Sequence, residues 1–392
     1  MINENLSLAF EKHLGKSKAN CILKAIKQKG WEKFKTLPMP KSNEEKWRFS
    51  NLTKFSFKNF KLPIAPNTSL KKEIINRSNI ITTYIGRNIF LNDLHIQHDS
   101  IDNNLKKKGI IWDSLKKAFI NHPELIKKYF FKLSTKLGLK KFQSLHKAYF
   151  NNGSFLFIPS NIYLEEPLVN YYWIAGNQTA IFPHTLVVAE KNSHANIIDC
   201  YFSNSTEESA LSVSIAHVYA ESESYISRKT IQCFNKKTFV FQIENNNAKR
   251  NSNIENTAIN LGSMQTRLDN EMHIQGEGGN ITAKSLTIAN YKQEFDQRTL
   301  QVHDASNTFS NVLYKNVLLD CAKTIFSGLI QVEEKSQKTD AYQTNHNLLL
   351  SKMAKAISLP GLEIKTKNRR LVLDRAICQL FFCIFSHGKF FW

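Results

Sequence analysis

From residue 153 to 364 the chain is written in short apolar or β-branched pieces set apart by polar turns, for about 200 residues without a helix-length segment. Residues 155–159, 162–164, 169–174, 185–188, 197–202, 213–219 and 239–243 carry the rhythm, and 316–319, 325–332 and 348–350 continue it. Asn, Ser, Lys and Glu fill the gaps. Strands at this near-regular spacing must each find a surface to cover. A sandwich of this length would be large, and prolines and hairpin dipeptides are scarce over residues 302–364. Coils that bury a face by stacking on their neighbours meet the pattern better. The expected fold is mainly β, a right-handed parallel β-helix.

Ahead of it the signal is helical. Leu6, Phe10 and Leu14 recur at four-residue spacing, and Ile22, Leu23, Ile26 and Trp31 extend one face, with Lys24, Lys27 and Lys29 on the other. Pro38 and Pro40 end this stretch. Ser42, with Glu45 three residues on, reads as the N-cap of a helical turn in which Trp47 and Phe49 are packing anchors. Residues 60–150 mix a strand at 80–84 with helices at 110–119 and 124–137, parted by His122-Pro123 and stopped at Gly138. The predicted division is a helical and mixed region over 1–150, a β-helix core over 151–364, and a separate tail over 365–392.

Hydrophobic residues make up 42% of the 392 residues, enough for a core. A formal charge of +20 invites a nucleic-acid partner. The lysines, however, are spread along the whole chain, and Asn and Ile are abundant beside them. That is what base composition of a genome produces, so no nucleic acid is expected. Cys21, Cys200, Cys233, Cys321, Cys378 and Cys383 form no CxxC pair, which speaks against a disulfide framework and against a zinc knuckle. Residues 1–14 lack a signal-peptide pattern, and no run reaches the roughly 18 apolar residues of a membrane span. The expected location is cytoplasmic, with no membrane insertion.

Few constellations carry chemistry. Gly278-Gly279-Asn280-Ile281-Thr282-Ala283-Lys284-Ser285 approaches a phosphate loop, but Ala283 stands where a second glycine is needed and a strand follows; a turn between coils is the simpler reading. His95 and His98 beside Asp93 offer part of a metal site and lack an evident third ligand. His303, Asp304 and Ser306 crowd together in sequence, which is rarely how a triad forms. No nucleophile elbow is present, and an enzyme is not expected.

The most specific block lies late in the core: Ser310, Tyr314-Lys315, Phe326-Ser327-Gly328, then Gln337-Lys338-Thr339-Asp340-Ala341-Tyr342-Gln343-Thr344-Asn345, Ser351 and Leu362-Glu363-Ile364. With Gly153-Ser154-Phe155, Glu165-Glu166-Pro167-Leu168, Phe182-Pro183-His184-Thr185-Leu186-Val187-Val188 and the shorter Glu45-Lys46-Trp47-Arg48, this block resembles the SufB/SufD family. Within the family it resembles the SufD side, a scaffold subunit of the SufBCD iron–sulfur cluster assembly complex. The resemblance implies a β-helix that pairs with a SufB-like subunit and works with the ATPase SufC. No cofactor would be held tightly by this chain alone: iron or a cluster would form at the interface with SufB, and ATP would act through SufC. A homodimer through exposed strand edges is a further possibility the fold offers.

In that family a Cys-Ser-His-Gly-Ala-Thr segment follows the Leu-Glu-Ile strand, and helices that dock SufC come next. Here Lys365-Thr366-Lys367-Asn368-Arg369-Arg370-Leu371 follows instead. Ser386-His387-Gly388 comes well beyond the family spacing, with Phe385 in the cysteine's place. His387, with Cys383, is what the resemblance leaves as cofactor or metal ligand. The tail crowds Phe381, Phe382, Phe385, Phe390, Phe391 and Trp392 without periodicity, and the expectation is a shifted reading frame after about Thr366, with the C-terminal helices missing. Two other classes stay open: a β-solenoid binding protein or basic surface or nucleic-acid binder unrelated to iron–sulfur assembly, and a non-functional truncated copy; an enzyme on a β-helix such as a polysaccharide lyase would need clustered Asp with Arg or Lys, and no such cluster is present.

Overall fold

The computed structural model describes residues 10–11, 13–15, 21–133, 135–365, 373–386 and 389–391, the last two stretches as backbone only. Helix α1 (Cys21–Thr36) ends ahead of Pro38 and buries Trp31 and Phe34. Lys27 leaves the expected polar face: it is buried, with Nζ 3.0 Å from His13 Nε2, and burial lowers its pKa to about 8. The capped helix expected at Ser42 is a single 3₁₀ turn, Glu45–Trp47, preceded by Glu44 with no side-chain cap. Three residues cannot hold a helix by their own hydrogen bonds; this segment is held from outside, as described below. Trp47 is an anchor at 2% exposure, whereas Phe49 is 39% exposed.

Helix α2 (Thr68–Arg77) is capped by Asn67, whose Oδ1 accepts from Leu70 N at 2.8 Å. The strand expected at 80–84 lies later, as the hairpin of β1 (Gly86–Leu91) and β2 (Leu94–Asp99). Its turn residues Asn92 and Asp93 take φ of 53° and 61°, the primed geometry that matches strand twist. After α3 (Asn103–Lys107), the expected helix 110–119 splits into strand β3 (Ile111–Ser114) and helix α4 (Leu115–Asn121). His122-Pro123 parts α4 from α5 (Pro123–Tyr129) as expected. Helix α5 stops at Tyr129 and not near 137, because Phe130 and Phe131 turn inward to pack on solenoid rings, Phe131 at φ 55°. Gly138 instead precedes α6 (Lys140–Tyr149), which the sequence pattern does not announce.

The rest is a parallel β-solenoid of about seven turns. Among the described residues one sheet has eleven strands. In spatial order they are β2, β1, β5 (Leu168–Ile174), β8 (His194–Ser203), β10 (Tyr225–Cys233), β12 (Asn253–Asn260), β14 (Asn280–Ala289), β16 (Phe309–Leu318), β18 (Thr339–Leu349), β20 (Leu373–Ser386) and β21 (Lys389–Phe391). The facing sheet runs from β3 through β4 (Ser154–Ile158), β7 (His184–Ala189), β9 (Ala210–Ala220), β11 (Thr238–Ala248), β13 (Gln265–Ile274), β15 (Glu294–His303) and β17 (Lys323–Val332) to β19 (Lys355–Ile364), with β6 (Thr179–Ile181) also on β9. Register is strict: Asn253 lies beside Asn280 and Lys323 beside Lys355. One edge turns at a residue with positive φ in coil after coil: Asn161, Asn192, Glu223, Asn251, Gly278, Asn307 and Lys338. The glycine pair that approached a phosphate loop is therefore a coil corner. A Cβ on Gly278, at φ +68°, would stand 2.2 Å from Asn251 Oδ1 of the preceding corner.

Two N-terminal pieces cover the sheets. Phe142 of α6 stacks on Phe241 at 3.7 Å between ring centres. Residues 46–51 cross the outer face of β13, β15 and β17 as a strap. Its carbonyls accept from Arg267 (Lys46 O, 3.0 Å), Arg298 (Arg48 O, 2.7 Å), Lys323 (Phe49 O, 2.7 Å) and Gln265 (Asn51 O, 2.6 Å). Arg267 lies 4.5 Å from the Trp47 ring centre and is paired with Asp269 at 2.6 Å and Asp296 at 2.7 Å. Ser50 Oγ also bonds Asp296. The Glu-x-Trp-Arg segment thus trades self-made helix bonds for buried charge-assisted ones.

Candidate functional site in the last coils

The late block of residues singled out in the sequence lies on β16 to β19, mostly between the two sheets. His303 Nε2 sits 2.8 Å from Ser310 Oγ, and its Nδ1 2.8 Å from Thr308 Oγ1. Gln301 Nε2 donates to the same Ser310 Oγ at 2.7 Å, so Ser310 donates onward to His303, whose other nitrogen donates to Thr308. Burial lowers the His303 pKa to about 3, so this relay holds a neutral imidazole. Asp304 stands outside the relay and Ser306 Oγ donates to Lys335 O at 2.9 Å, so no triad forms.

Tyr314 is buried with its ring 5.5 Å from Phe326. Asn316 donates to Asn345 Oδ1 at 3.0 Å and to Asn347 Oδ1 at 2.9 Å, and Asn345 donates to Ser358 Oγ at 2.6 Å. Thr339 Oγ1 is 3.3 Å from Thr308 Oγ1, joining successive corners. Ser351 Oγ accepts from Asp320 N at 2.8 Å at the opposite edge. Gln343 is buried against Gly328: a Cβ on that glycine would meet Gln343 Oε1 at 2.2 Å. These side chains specify how neighbouring coils seat on one another. Lys315, Gln337, Lys338, Leu362 and Glu363 are the members of the block that are exposed.

The last strand of the facing sheet leaves an edge. Among the described residues β19 pairs with β17 alone. Lys355 N donates to Ala322 O at 3.0 Å and Lys365 N to Val332 O at 3.0 Å, so the odd-numbered residues bond inward and the even-numbered ones face away. Pro360, which has no N–H, falls on the outward set, the position an edge strand tolerates. Ala356, Ser358, Leu362 and Ile364 present the remaining outward N–H groups, with Leu362 47% exposed.

Metal chemistry has less support. His387 lies outside the described residues, and Cys383 and Cys378 belong to β20, whose side chains are also outside them. His95 Nε2 and His98 Nδ1 both bond Asn88 Oδ1, at 2.9 and 2.8 Å, while Asp93 turns away to accept from Phe182 N at 2.7 Å. Cys200 and Cys233 sit in strands and burial raises both thiols, the opposite of an activated ligand. Among the described residues no group of three His, Cys, Asp or Glu side chains is placed to hold a metal ion. Among them, too, no helix is long and apolar enough to cross a membrane.

Sequence reasoning missed two buried clusters. Inside the coils Arg228 pairs with Asp199 at 2.7 Å and Glu244 at 2.8 Å, all almost fully buried. Where α6 meets the solenoid, His146, His184 and His217 gather around the Phe131 ring at 5.9, 5.1 and 5.4 Å between centres. His146 bonds Val213 O at 2.7 Å and His184 Nδ1 at 3.2 Å. Alternation along a strand signals its faces, but both clusters draw on strands or helices far apart in sequence.

Comparison with known proteins places this architecture. The family model for the SUF system FeS cluster assembly, SufBD core domain, matches residues 172–372, and that for the SufBD protein N-terminal region matches 6–169. The iron–sulfur cluster assembly protein SufD of Bacillus subtilis is 28% identical over 348 residues, 87% of this chain and 78% of that protein. A SufBD family protein of Staphylococcus saprophyticus is 24% identical, and one of Staphylococcus aureus 25%, over 73% and 69% of this chain. The chain spans 61% and 58% of those two staphylococcal relatives. The core match lies on the solenoid and the N-terminal match on the region that straps and caps it: the chain belongs to the SufBD family.

Proposed function

We propose that this chain is a SufD-like scaffold of iron–sulfur cluster assembly, not an enzyme, acting in the cytoplasm beside a SufB-like subunit and a SufC-like ATPase. The observation that carries this reading is the SufBD core match over a solenoid whose β19 edge is unpaired among the described residues. An edge with outward N–H groups recruits another strand by backbone pairing. The partner fitting it is a second solenoid of the same family, and the cluster is the cargo built between the two. Nucleotide chemistry belongs to the ATPase. His387 and Cys383 are the side chains of this chain proposed to reach iron at that junction.

The test is co-expression with the SufB-like and SufC-like subunits of the same host, followed by light scattering of the eluted species. A complex containing all three supports the reading, and Leu362→Pro is expected to release the SufB-like subunit by breaking edge pairing. A folded β-rich chain that co-purifies with neither subunit overturns it.

A further inference from the structure

The outer face of the eleven-stranded sheet changes character along the solenoid axis. At its start α2 covers it: Leu70, Ile74 and Ile75 pack with Trp173, Cys200 and Phe202, and this cluster reaches Ile231 on β10. Beyond Ile231, no described residue covers the face, yet it keeps two apolar columns, the first as far as Leu286, where Lys315 and His346 continue it. In register, Ile231, Ile259 and Leu286 stand side by side on β10, β12 and β14. The next column runs from Leu261, just past the end of β12, through Ile288 to Val317 and Leu348. Leu261, Leu286 and Ile288 are 41%, 38% and 40% exposed, alternating with buried neighbours.

Lysines flank this stripe on both sides. Lys229 and Lys284 stand one column away, with Lys315 beside Leu286. Across the stripe, Lys236, Lys292 and Lys352 are exposed at the coil corners, Lys236 with Nζ 3.7 Å from the Tyr291 ring centre. Acidic groups are fewer: Glu255 lies two columns from the apolar rows, and Asp320 is bound to Tyr291 N at 2.8 Å.

We propose that this lysine-flanked stripe is the docking groove for an amphipathic helix with an acidic polar face, carried by a partner protein. Geometry favours a helix. Strands recur about every 4.8 Å along the solenoid axis and helix turns every 5.4 Å, so a helix laid along the axis sets about one apolar residue against each strand. The five strands from β10 to β18 span about 19 Å, the length of a helix of about 13 residues. The same sheet already accepts a helix at its start, and the groove continues that surface. The apolar centre disfavours nucleic acid, which would be met by phosphate-binding groups throughout.

The experiment uses the full chain and two labelled 16-residue amphipathic peptides, with leucine on one face and either glutamate or lysine on the other, followed by fluorescence anisotropy. The acidic peptide is expected to bind, more weakly at high salt, and the lysine peptide to bind at least tenfold more weakly. Ile288→Glu is expected to lower acidic-peptide affinity at least tenfold, and Lys284→Glu with Lys315→Glu to shift preference toward the lysine peptide. Both variants alter exposed side chains, and unchanged circular dichroism confirms their fold. Equal binding of the two peptides, or affinity untouched by Ile288→Glu, overturns the proposal. So does preferential binding of anionic vesicles or DNA through the same residues, or self-association that Ile288→Glu abolishes. Complex formation with the SufB-like subunit is read separately, so either proposal can fail alone.

Discussion

Asp93 is an acid in an unusual place. It is buried in a primed turn, accepts one backbone N–H from Phe182, and burial raises its pKa to about 7. Its carboxyl ionises near 4 in the unfolded chain, so it weakens the fold as pH rises from 4 through 7, by as much as about 4 kcal/mol. Asn keeps the acceptor and tolerates positive φ. Asp93→Asn is therefore expected to match the wild type near pH 4 and exceed it in urea midpoint at pH 8; equal midpoints at both pH values would refute the assignment. Gly328 is the second residue-scale case. Its neighbour Gln343 is buried, so Gly328→Ala should cost about 1–3 kcal/mol by overpacking. The same change made in a Gln343→Ala background should cost clearly less. The sequence named Gly328 and Gln343 through family resemblance alone; their shared contact bridges the two sheets and leaves no trace in local spacing.

The elements divide by how locally they are determined. Strands such as β5, β7 and β17 were readable from the apolar rhythm, as was the His122-Pro123 break between α4 and α5. Strand β3, the early end of α5, and helix α6 were not, because packing on the solenoid decides them and propensity does not. The strap is the clearest instance. Ser42 and Glu45 suggested a capping box, yet the segment is positioned by Arg267 and Arg298 more than 200 residues away. Arg267→Met would leave Asp269 and Asp296 short of a buried partner, a loss of about 3–5 kcal/mol. It should also speed hydrogen exchange across residues 46–51 before global unfolding; unchanged exchange there would show that Trp47 alone fastens the strap.

At the scale of the molecule, the solenoid was legible as a rhythm and its period was not. The coils share register and corner geometry, and the trace in sequence is a sparse series of corner asparagines, Asn161, Asn192, Asn251 and Asn307, too widely spaced to draw the eye. The joint between α6 and the coils was invisible, being built from three histidines far apart. Burial lowers His146 and His217 to about 3 and pushes His184 down as well; Lys147, itself lowered to about 8 by burial, faces them from α6, with Lys29 and Lys33 of α1 behind it. The unfolded chain takes up protons below about pH 6.5 and the folded joint does not, so stability falls as pH drops from there. For His146 and His217 the loss between pH 7 and pH 5 is about 2 kcal/mol each. His217→Phe, which replaces two buried nitrogens lacking hydrogen-bond partners by an apolar ring, is expected to flatten the fall in melting temperature between those pH values. A slope equal to the wild type's would place the acid sensitivity elsewhere.

The last strand of the facing sheet and the strapped strands behind it answer force differently. Load applied at Ile364 meets β19 along its single bonded side and is passed to β17 one ladder rung at a time. Load applied at Lys46 falls together on Arg267, Arg298, Gln265 and Lys323, whose four bonds reach across β13, β15 and β17. The protein is thus a directional material, one that peels at β19 and resists as a belted stack just behind it, where the strap crosses β13, β15 and β17.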